Sequence, residues 1–209
     1  MIAVVDYGMG NIQSVANALE CAGVEVLVTS TAADLATAEA IIVPGVGAFA
    51  EGMANLDRLG LRATLDQQVL ERKKPFLGIC LGMQFLADLS CEGGQTRGFG
   101  WIPGRVERLE PEDRQRFKVP HMGWNDLVLT RPDPLLEGLG DQPVFYFVHG
   151  YHFQARPEYV TAVCQHGQQV VVAVRRDNIF GVQFHPEKSQ GMGLKLLENF
   201  CRLAKASHA

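Results

Sequence analysis

Residues 75–82, Pro-Phe-Leu-Gly-Ile-Cys-Leu-Gly, join an apolar run to an amphipathic one. The run Pro75–Ile79 predicts a strand, and Leu81–Leu89 predicts a helix. Cys80 then stands on a sharp strand-to-helix turn, where flanking glycines suit a chain that bends tightly and approaches its neighbours closely. A buried strand that runs directly into a helix is typical of α/β proteins with a parallel sheet.

The same alternation of strands and helices precedes this segment. Nearly continuous apolar strands separated by amphipathic helices predict a parallel sheet that is covered on both faces. A helix opens after Asn11, because the apolar residues that follow recur at spacings of three and four. The predicted strands are Ile2–Val5, Val24–Val28 and Ala40–Val43, and a further helix is predicted at Leu56–Arg72.

The pattern changes after Trp101 to short strands separated by turns. Val170–Val174 and Ile179–Phe184 predict an antiparallel hairpin. Met192–Ala204 predicts a closing helix. We therefore expect an α/β fold with an open, mainly parallel sheet, helices on both faces and an antiparallel extension in the second half. No linker or internal repeat divides the chain, so a single domain over residues 1–209 is expected.

Composition excludes several classes of protein. A chain of 209 residues that is 47% hydrophobic can bury one core without help from disulfides or metals. The net charge of −4 gives no attraction to nucleic acid or an anionic membrane. No apolar run approaches the ~20 residues of a membrane span, and no cleavable leader is recognisable. Five cysteines without CxxC spacing argue against a disulfide framework or a zinc site. We expect a cytoplasmic protein without metal or cofactor.

Cys80 is the candidate nucleophile. The backbone amides and the dipole at the start of the following helix favour a thiolate. A free cysteine is mostly protonated at neutral pH, so the chemistry also needs a base. The alternative is a small core residue, which suits Cys21, Cys164 and Cys201 in their apolar or helical contexts. The glycine-flanked junction distinguishes Cys80 from these three.

His185 and Glu187 supply the candidate base and its orienting partner. They stand in residues 181–187, Gly-Val-Gln-Phe-His-Pro-Glu, where a predicted strand ends. Side chains two residues apart on an extended chain share a face, and Pro186 keeps His185 extended. Glu187 can therefore orient the imidazole, as the third member of a nucleophile–base–orienter set. A lone histidine is more often structural, and its pairing with the cysteine turn favours catalysis.

A third segment, Pro-Gly-Val-Gly-Ala-Phe at residues 44–49, follows the strand Ala40–Val43. Glycines directly after a parallel strand place backbone N–H groups at the carboxyl edge of the sheet, where such folds bind ligands. Donors of this kind form oxyanion holes. The alternative is a plain tight turn.

These three segments, in this order, resemble the class I (triad-type) glutamine amidotransferases over nearly the whole chain. Residues 78–84, GICLGMQ, and 185–187, HPE, are the marks of that family. The resemblance implies a flavodoxin-like sheet. It narrows to the glutaminase subunits of imidazole glycerol phosphate synthases, from histidine biosynthesis, on four segments: PGVGAF at 44–49, KVPHMGWN at 118–125, FYFVHGY at 145–151 and FHPEKS at 184–189.

The resemblance implies a role for each matched residue. Cys80 attacks the glutamine carboxamide, His185 shuttles the proton and Glu187 positions His185. Ammonia leaves, and water then releases glutamate from a cysteinyl thioester. The other implied assignments are the amides of Val46 and Leu81 as oxyanion hole, and Gly47, Gln84 and Tyr151 as substrate contacts.

The resemblance also implies a partner. In the family, ammonia crosses to a (β/α)₈ cyclase subunit of a heterodimer, which makes imidazole glycerol phosphate and aminoimidazole carboxamide ribonucleotide. A glutaminase of this kind should idle alone and be activated through the interface. The implied interface residues are Asn11, Trp124, Tyr146 and Lys188.

One position departs from the family, and several alternatives remain. Gly150 stands where the family usually carries serine or threonine. A glutaminase for anthranilate, guanylate or carbamoyl phosphate synthesis shares the triad, but PHMGWN disfavours it. A paralogue that serves cell-surface sugar amidation, a stand-alone thiol amidohydrolase and an inactive regulatory subunit are further alternatives, the last disfavoured by the complete triad. A metal site from His149, His152 and Glu187 is the least favoured.

Overall fold

A computed structural model of the protein describes residues 1–206. It contains six α-helices and fourteen strands in three sheets. The helices are α1 (Ile12–Cys21), α2 (Ala32–Thr37), α3 (Phe49–Arg58), α4 (Leu61–Asp66), α5 (Leu81–Gln84) and α6 (Gln190–Ala206). The strands are β1 (Ile2–Val5), β2 (Val26–Thr29), β3 (Ala40–Gly45), β4 (Phe76–Cys80), β5 (Leu89–Ser90), β6 (Thr96–Arg97), β7 (Gly104–Arg108), β8 (His121–Asp126), β9 (Val128–Leu129), β10 (Val144–His149), β11 (Tyr151–Ala155), β12 (Val160–Gln165), β13 (Gln169–Arg176) and β14 (Ile179–Val182).

The main sheet has eight strands in the order β2-β1-β3-β4-β14-β13-β12-β9. The first five are parallel to one another, and the last three pair antiparallel. The prediction of an open, mainly parallel sheet with an antiparallel extension is therefore confirmed. Two smaller sheets, β8 with β10 and β11-β7-β5-β6, complete the fold.

Burial of the parallel strands explains their continuous apolar sequence. In β1, Ile2 and Val4 pack into one core with residues of α1 and α6, while Ala3 and Val5 pack into a second core with residues of α3 and α4. Successive side chains of a strand point to opposite faces, so a strand covered on both faces needs apolar residues at every position.

The predicted bounds of two helices were wrong. The helix predicted at Leu56–Arg72 begins earlier, at Phe49, and is interrupted at Gly60, which adopts a left-handed φ of 66°. The chain resumes as α4 and continues as a π-helix over Gln67–Glu71. A left-handed residue ends a helix because it turns the following amides away from the helical carbonyls.

The helix predicted at Leu81–Leu89 ends at Gln84, and Leu89 lies in β5. The cause is long-range competition for backbone hydrogen bonds. The carbonyls of residues 85, 86 and 87 accept from the amides of residues 99, 102 and 100, at 2.7, 3.0 and 3.0 Å. A helix that reached Leu89 would need the Phe85 carbonyl for the N–H of Leu89, and it would need the N–H of Asp88, which instead donates to the Gly104 carbonyl at 3.0 Å.

None of the helices in residues 1–206 is long and apolar enough to cross a membrane.

Candidate active site

The register of the central strands brings the predicted segments together. Gly45 at the end of β3 pairs with Cys80 at the end of β4, and Val182 at the end of β14 pairs with Ile79. The residue after Val182 is Gln183, which therefore lies beside Cys80. In a parallel sheet these carboxyl ends form one edge, which is where α/β folds bind ligands.

Cys80 occupies the predicted strand-to-helix turn. Its φ of 54° and ψ of −107° are unusual for a residue with a side chain. The flanking glycines are required by close backbone approach: a Cβ at Gly78 would overlap the carbonyl of Gly82, and one at Gly82 would overlap the carbonyl of Val43. The turn thus presents the sulfur at the sheet edge and starts α5 at Leu81.

His185 and Glu187 form a buried pair, each with a side chain only 1% exposed. His185 Nδ1–H donates to Glu187 Oε1 at 2.8 Å, and the His185 backbone N–H donates to the Tyr146 carbonyl at 2.9 Å. Nε2 of His185 is buried and makes no hydrogen bond of normal geometry within residues 1–206. The carboxylate therefore sets the tautomer and leaves Nε2 free for the cysteine.

The electrostatics of the pair favour a protonated imidazole. Burial alone would lower the pKa of His185, but the neighbouring Cys80 and Glu187 outweigh it and raise the pKa to about 9. A thiolate beside an imidazolium is the reactive form of a cysteine nucleophile.

We expect the glutaminase rate to fall as the pH rises through about 9. The reason is that imidazolium, which must give its proton to the leaving group, is lost above that pH. Glu187 raises the pKa of His185, so Glu187→Gln should move this alkaline limb to lower pH. The measurement is kcat/KM for glutamine across the neutral and alkaline range, with the exposed-carboxylate variant Glu158→Gln as control. An unmoved limb in Glu187→Gln would contradict the assignment.

A cavity of about 280 Å³ opens beside the sulfur of Cys80. Its volume is just below the ~300–1,000 Å³ usual for sites of drug-sized ligands, which suits a single small polar molecule. His185 and Glu187 are not among its lining residues, and Cys80 is the member of the triad in its wall. The cavity is lined by all the remaining predicted pocket residues: Val46, Gly47, Leu81, Gln84 and Tyr151.

Glu92 also lines the cavity, and the sequence reasoning missed it. It is the one carboxylate in the described lining. Its Oε2 accepts a hydrogen bond from the N–H of Phe49 at 2.9 Å, which caps the first turn of α3. The local sequence Cys-Glu-Gly-Gly at residues 91–94 predicts only a turn. A carboxylate in a turn carries no periodic pattern that would have identified it.

Gly150 lies in the cavity wall with room for a side chain. A Cβ there would meet only Val119 Cγ1, at 3.8 Å, which is an ordinary contact. We therefore expect Gly150→Ser to fold with unchanged stability and to show a KM for glutamine that is equal or lower. Thermal unfolding and steady-state kinetics measure this. Gly82→Ser is the contrasting variant, which should lose stability because its Cβ would overlap the Val43 carbonyl. A large rise in KM for Gly150→Ser would contradict the expectation.

The histidines near the cavity do not assemble a metal site. Both nitrogens of His149 are engaged, one with His121 Nδ1 at 3.0 Å and the other with the Tyr151 carbonyl at 2.9 Å. Burial lowers the pKa of His149 to about 3, so its imidazole is neutral at physiological pH. Glu187 is paired with His185 instead. Across residues 1–206, no group of three or more His, Cys, Asp or Glu side chains could hold a metal ion.

The four predicted interface residues lie close to the base. Asn11 Nδ2 is 3.5 Å from Glu187 Oε1, and Lys188 Nζ lies 5.8 Å from the ring centroid of Tyr146. Tyr146 pairs across the β8–β10 ladder with Trp124, which is 50% exposed. Trp124 is therefore not a core residue. The sequence reasoning missed the exposed Met122 on the same strand.

The fold and this site define a class I glutamine amidotransferase, and the family model described as "Glutamine amidotransferase class-I" matches residues 3–204. The imidazole glycerol phosphate synthase subunit HisH 1 of Campylobacter jejuni (strain 81-176) is 47% identical over 97% of this chain and 100% of its own length. The corresponding HisH subunit of Moorella thermoacetica is 47% identical over 98% and 95%. The chain therefore belongs to the class I glutamine amidotransferases and, within them, to the HisH subunits.

Two solved structures share the fold. A glutamine amidotransferase superposes with a TM-score of 0.76 at 23% identity, over 98% of this chain and 100% of that one. PurLQS from Thermotoga maritima superposes with a TM-score of 0.72 at 21% identity, over 97% of each chain. At these identities the likeness concerns the architecture alone.

Proposed function

We propose that the chain hydrolyses glutamine to glutamate and ammonia through a thioester on Cys80, and delivers the ammonia to a (β/α)₈ cyclase subunit in histidine biosynthesis. The observation that carries the proposal is the buried His185–Glu187 pair behind a cysteine that opens onto a small cavity. The names of the full-length relatives supply the pathway.

The reaction follows from the placement of the groups. The Cys80 thiolate attacks the carboxamide carbon, and the amides of Val46 and Leu81 stabilise the oxyanion. Protonated His185 gives its proton to the departing ammonia. Neutral His185 then removes a proton from water, which attacks the thioester and releases glutamate with Cys80 restored. The pairing of Gly45 with Cys80 supports the oxyanion assignment, since it places Val46 next to Leu81.

The polar lining of the cavity suits the amino-acid end of glutamine. Glu92 uses Oε2 for the Phe49 amide, so Oε1 is the oxygen left to pair with an ammonium group. Gln84 uses Nε2 for two protein acceptors, and its Oε1 can accept a further hydrogen bond. Gly47 and Tyr151 line the same space. A carboxylate at this position is the charge that an α-ammonium group needs.

The β8–β10 ladder is the proposed cyclase-binding face. Met122, Trp124 and Val144 expose 63%, 50% and 37% of their surface on it. Trp124 is the type of residue that anchors protein interfaces. The face also connects directly to the base, because the carbonyl of Tyr146 accepts from the backbone N–H of His185. Binding at this face can therefore reposition His185, which is how an acceptor ligand would activate the glutaminase.

The test is a glutaminase assay on the purified chain, alone, with the cyclase, and with the cyclase plus its nucleotide ligand. We expect low activity alone and strong activation in the complex with ligand. Trp124→Ala should weaken activation, whereas Val28→Ala, a change at an exposed apolar residue on β2 at the opposite edge of the main sheet from β9, should not. Full activity of the isolated chain, unchanged by cyclase and ligand, would indicate a stand-alone amidohydrolase.

A second candidate function is that of a paralogous glutaminase subunit that supplies ammonia to a different acceptor. The numbered name HisH 1 of the Campylobacter jejuni relative favours it, because the number implies more than one HisH subunit in that organism. Complementation of a histidine auxotroph that lacks its glutaminase subunit distinguishes the two candidates. Growth without histidine supports the first, and failure to grow despite a working glutaminase supports the second.

The proposal also covers the organisation of the chain and its location. The cavity wall runs from Val46 to Tyr151, and the base stands at 185 in the last third, which supports one catalytic domain over residues 1–209. A role in amino-acid biosynthesis supports a cytoplasmic location. The chemistry proposed needs no cofactor.

A further inference from the structure

Gln183 lies against the nucleophile and has no role in the reaction described so far. It is fully buried, directly after β14. Its Nε2 lies 3.5 Å from Cys80 Sγ. A polar side chain that is fully buried must be hydrogen-bonded or it destabilises the fold, so its partners indicate what it does.

The direction of its hydrogen bonds is set by a backbone carbonyl. The Tyr151 carbonyl can only accept, so the Gln84 group 3.0 Å away must be the NH₂. The Nε2 atom of Gln84 also lies 3.0 Å from the side-chain amide of Gln183, which must then present its Oε1 to that nitrogen. Gln183 is thereby left with its NH₂ toward the sulfur. An isolated amide can be placed in either orientation, but this chain of contacts allows one.

We propose that Gln183 is a positioning residue that holds the Cys80 sulfur and stabilises its thiolate by donating a hydrogen bond, and that Gln84 keeps Gln183 in that orientation. The inference rests on the proposed function, because it assigns a role at the same nucleophile. No bond is formed or broken by Gln183. It acts only through the charge state and the position of Cys80.

The physical basis is the difference between a charged and a neutral acceptor. An N–H group binds an anionic sulfur more strongly than a thiol, so a fixed donor favours the thiolate. The Val148 carbonyl, 4.0 Å from the sulfur, can only accept and therefore favours the thiol. His185 and Tyr7 also interact with the sulfur, and the ionisable residues Glu92, His149 and Tyr151 line the same cavity. Gln183 does not titrate, so its N–H donor is present at every pH.

The chain of amides also connects the cavity wall to the nucleophile. Tyr151 lines the cavity, and its carbonyl is the fixed end of the series Tyr151–Gln84–Gln183–Cys80. A shift of the Tyr151 backbone when substrate fills the cavity would be transmitted to the donor at the sulfur. Gln84 then has two functions, one toward substrate and one toward Gln183.

The test is the alkylation rate of Cys80 by iodoacetamide as a function of pH, read by peptide mass spectrometry without glutamine. Gln183→Met keeps the length of the side chain and removes the donor, and Gln183→Glu keeps its shape and puts a carboxylate beside the sulfur. Both should move the midpoint to higher pH, with Gln183→Met showing about ten- to hundredfold less thiolate at a given neutral pH, the effect typical of a hydrogen bond to a charged group. The control Gln165→Met, on an exposed position, should match the wild type.

Kinetics and a double variant separate positioning from packing. In Gln183→Met, kcat should fall by a similar factor with little change in KM. The double variant Gln84→Met/Gln183→Met should show the same alkylation midpoint as Gln183→Met alone, because Gln84 acts on the sulfur only through Gln183. A midpoint equal to the wild type in a Gln183→Met protein of unchanged Tm would overturn the inference. If that variant does not fold, Gln183→Leu, which also removes the donor and adds no charge, decides by the same criterion. Failure of the proposed function looks different: wild-type Cys80 would then react no faster than the exposed Cys21.

Discussion

Cys80→Ser is expected to lower glutamine hydrolysis by at least ~1,000-fold while the fold stays intact. Serine has nearly the same shape, so the strained turn and the flanking glycine contacts persist. Its hydroxyl, however, is not ionised by a histidine of this kind in the resting state. The measurement is glutamate formation with the cyclase complex saturated with its ligand, together with the thermal unfolding of the variant.

Covalent labelling supplies the matching positive result. A diazo-ketone analogue of glutamine should add to the peptide that contains Cys80 and to no other cysteine peptide. Burial raises the pKa of Cys164 to about 12 and that of Cys201 to about 11, so both remain thiols at neutral pH. Cys21→Ser, a change at an exposed cysteine, is the control and should retain full activity. Labelling spread over several cysteines, or an active Cys80→Ser protein, would contradict the assignment.

His185→Ala is expected to cost roughly 100- to 10,000-fold in kcat, the usual contribution of a general acid–base group. The imidazole both accepts the thiol proton of Cys80 and protonates the departing ammonia, and both functions are lost together. The backbone N–H of residue 185 still donates to the Tyr146 carbonyl, so the turn should keep its position. Initial rates in the activated complex measure the loss.

An intermediate variant and a control variant accompany His185→Ala. Glu187→Gln should lose less than His185→Ala, because an amide still orients the ring but no longer favours its charged form. His166→Ala, which removes a half-buried histidine bonded to the Lys118 carbonyl, should remain active. A His185→Ala protein within a few-fold of the wild type would mean that another group serves as the base.

Much of the fold was predictable because its elements are specified locally. The strands Ile2–Val5, Ala40–Val43 and Pro75–Ile79 each lie within two residues of an observed strand. Their apolar runs are continuous because both faces of the sheet are buried, and that requirement is visible in a single sequence. The helix predicted at Leu81–Leu89 ended early for the opposite reason. Its last turn cannot form because the Phe85 carbonyl accepts from the N–H of Phe99 and the N–H of Asp88 donates to the Gly104 carbonyl.

The sequence by itself determined the strand–turn–helix at Cys80, the spacing of His185 and Glu187 and the glycine turn at residues 44–49. Each of these depends on residues within a few positions of one another, where backbone sterics and alternation act directly. Only the tertiary structure decided that Glu92 lines the cavity, that Gln183 faces the sulfur and that Trp124 is exposed. Those contacts join residues far apart in the chain. They depend on strand order and register, which produce no periodic pattern in the sequence around Glu92, Gln183 or Trp124.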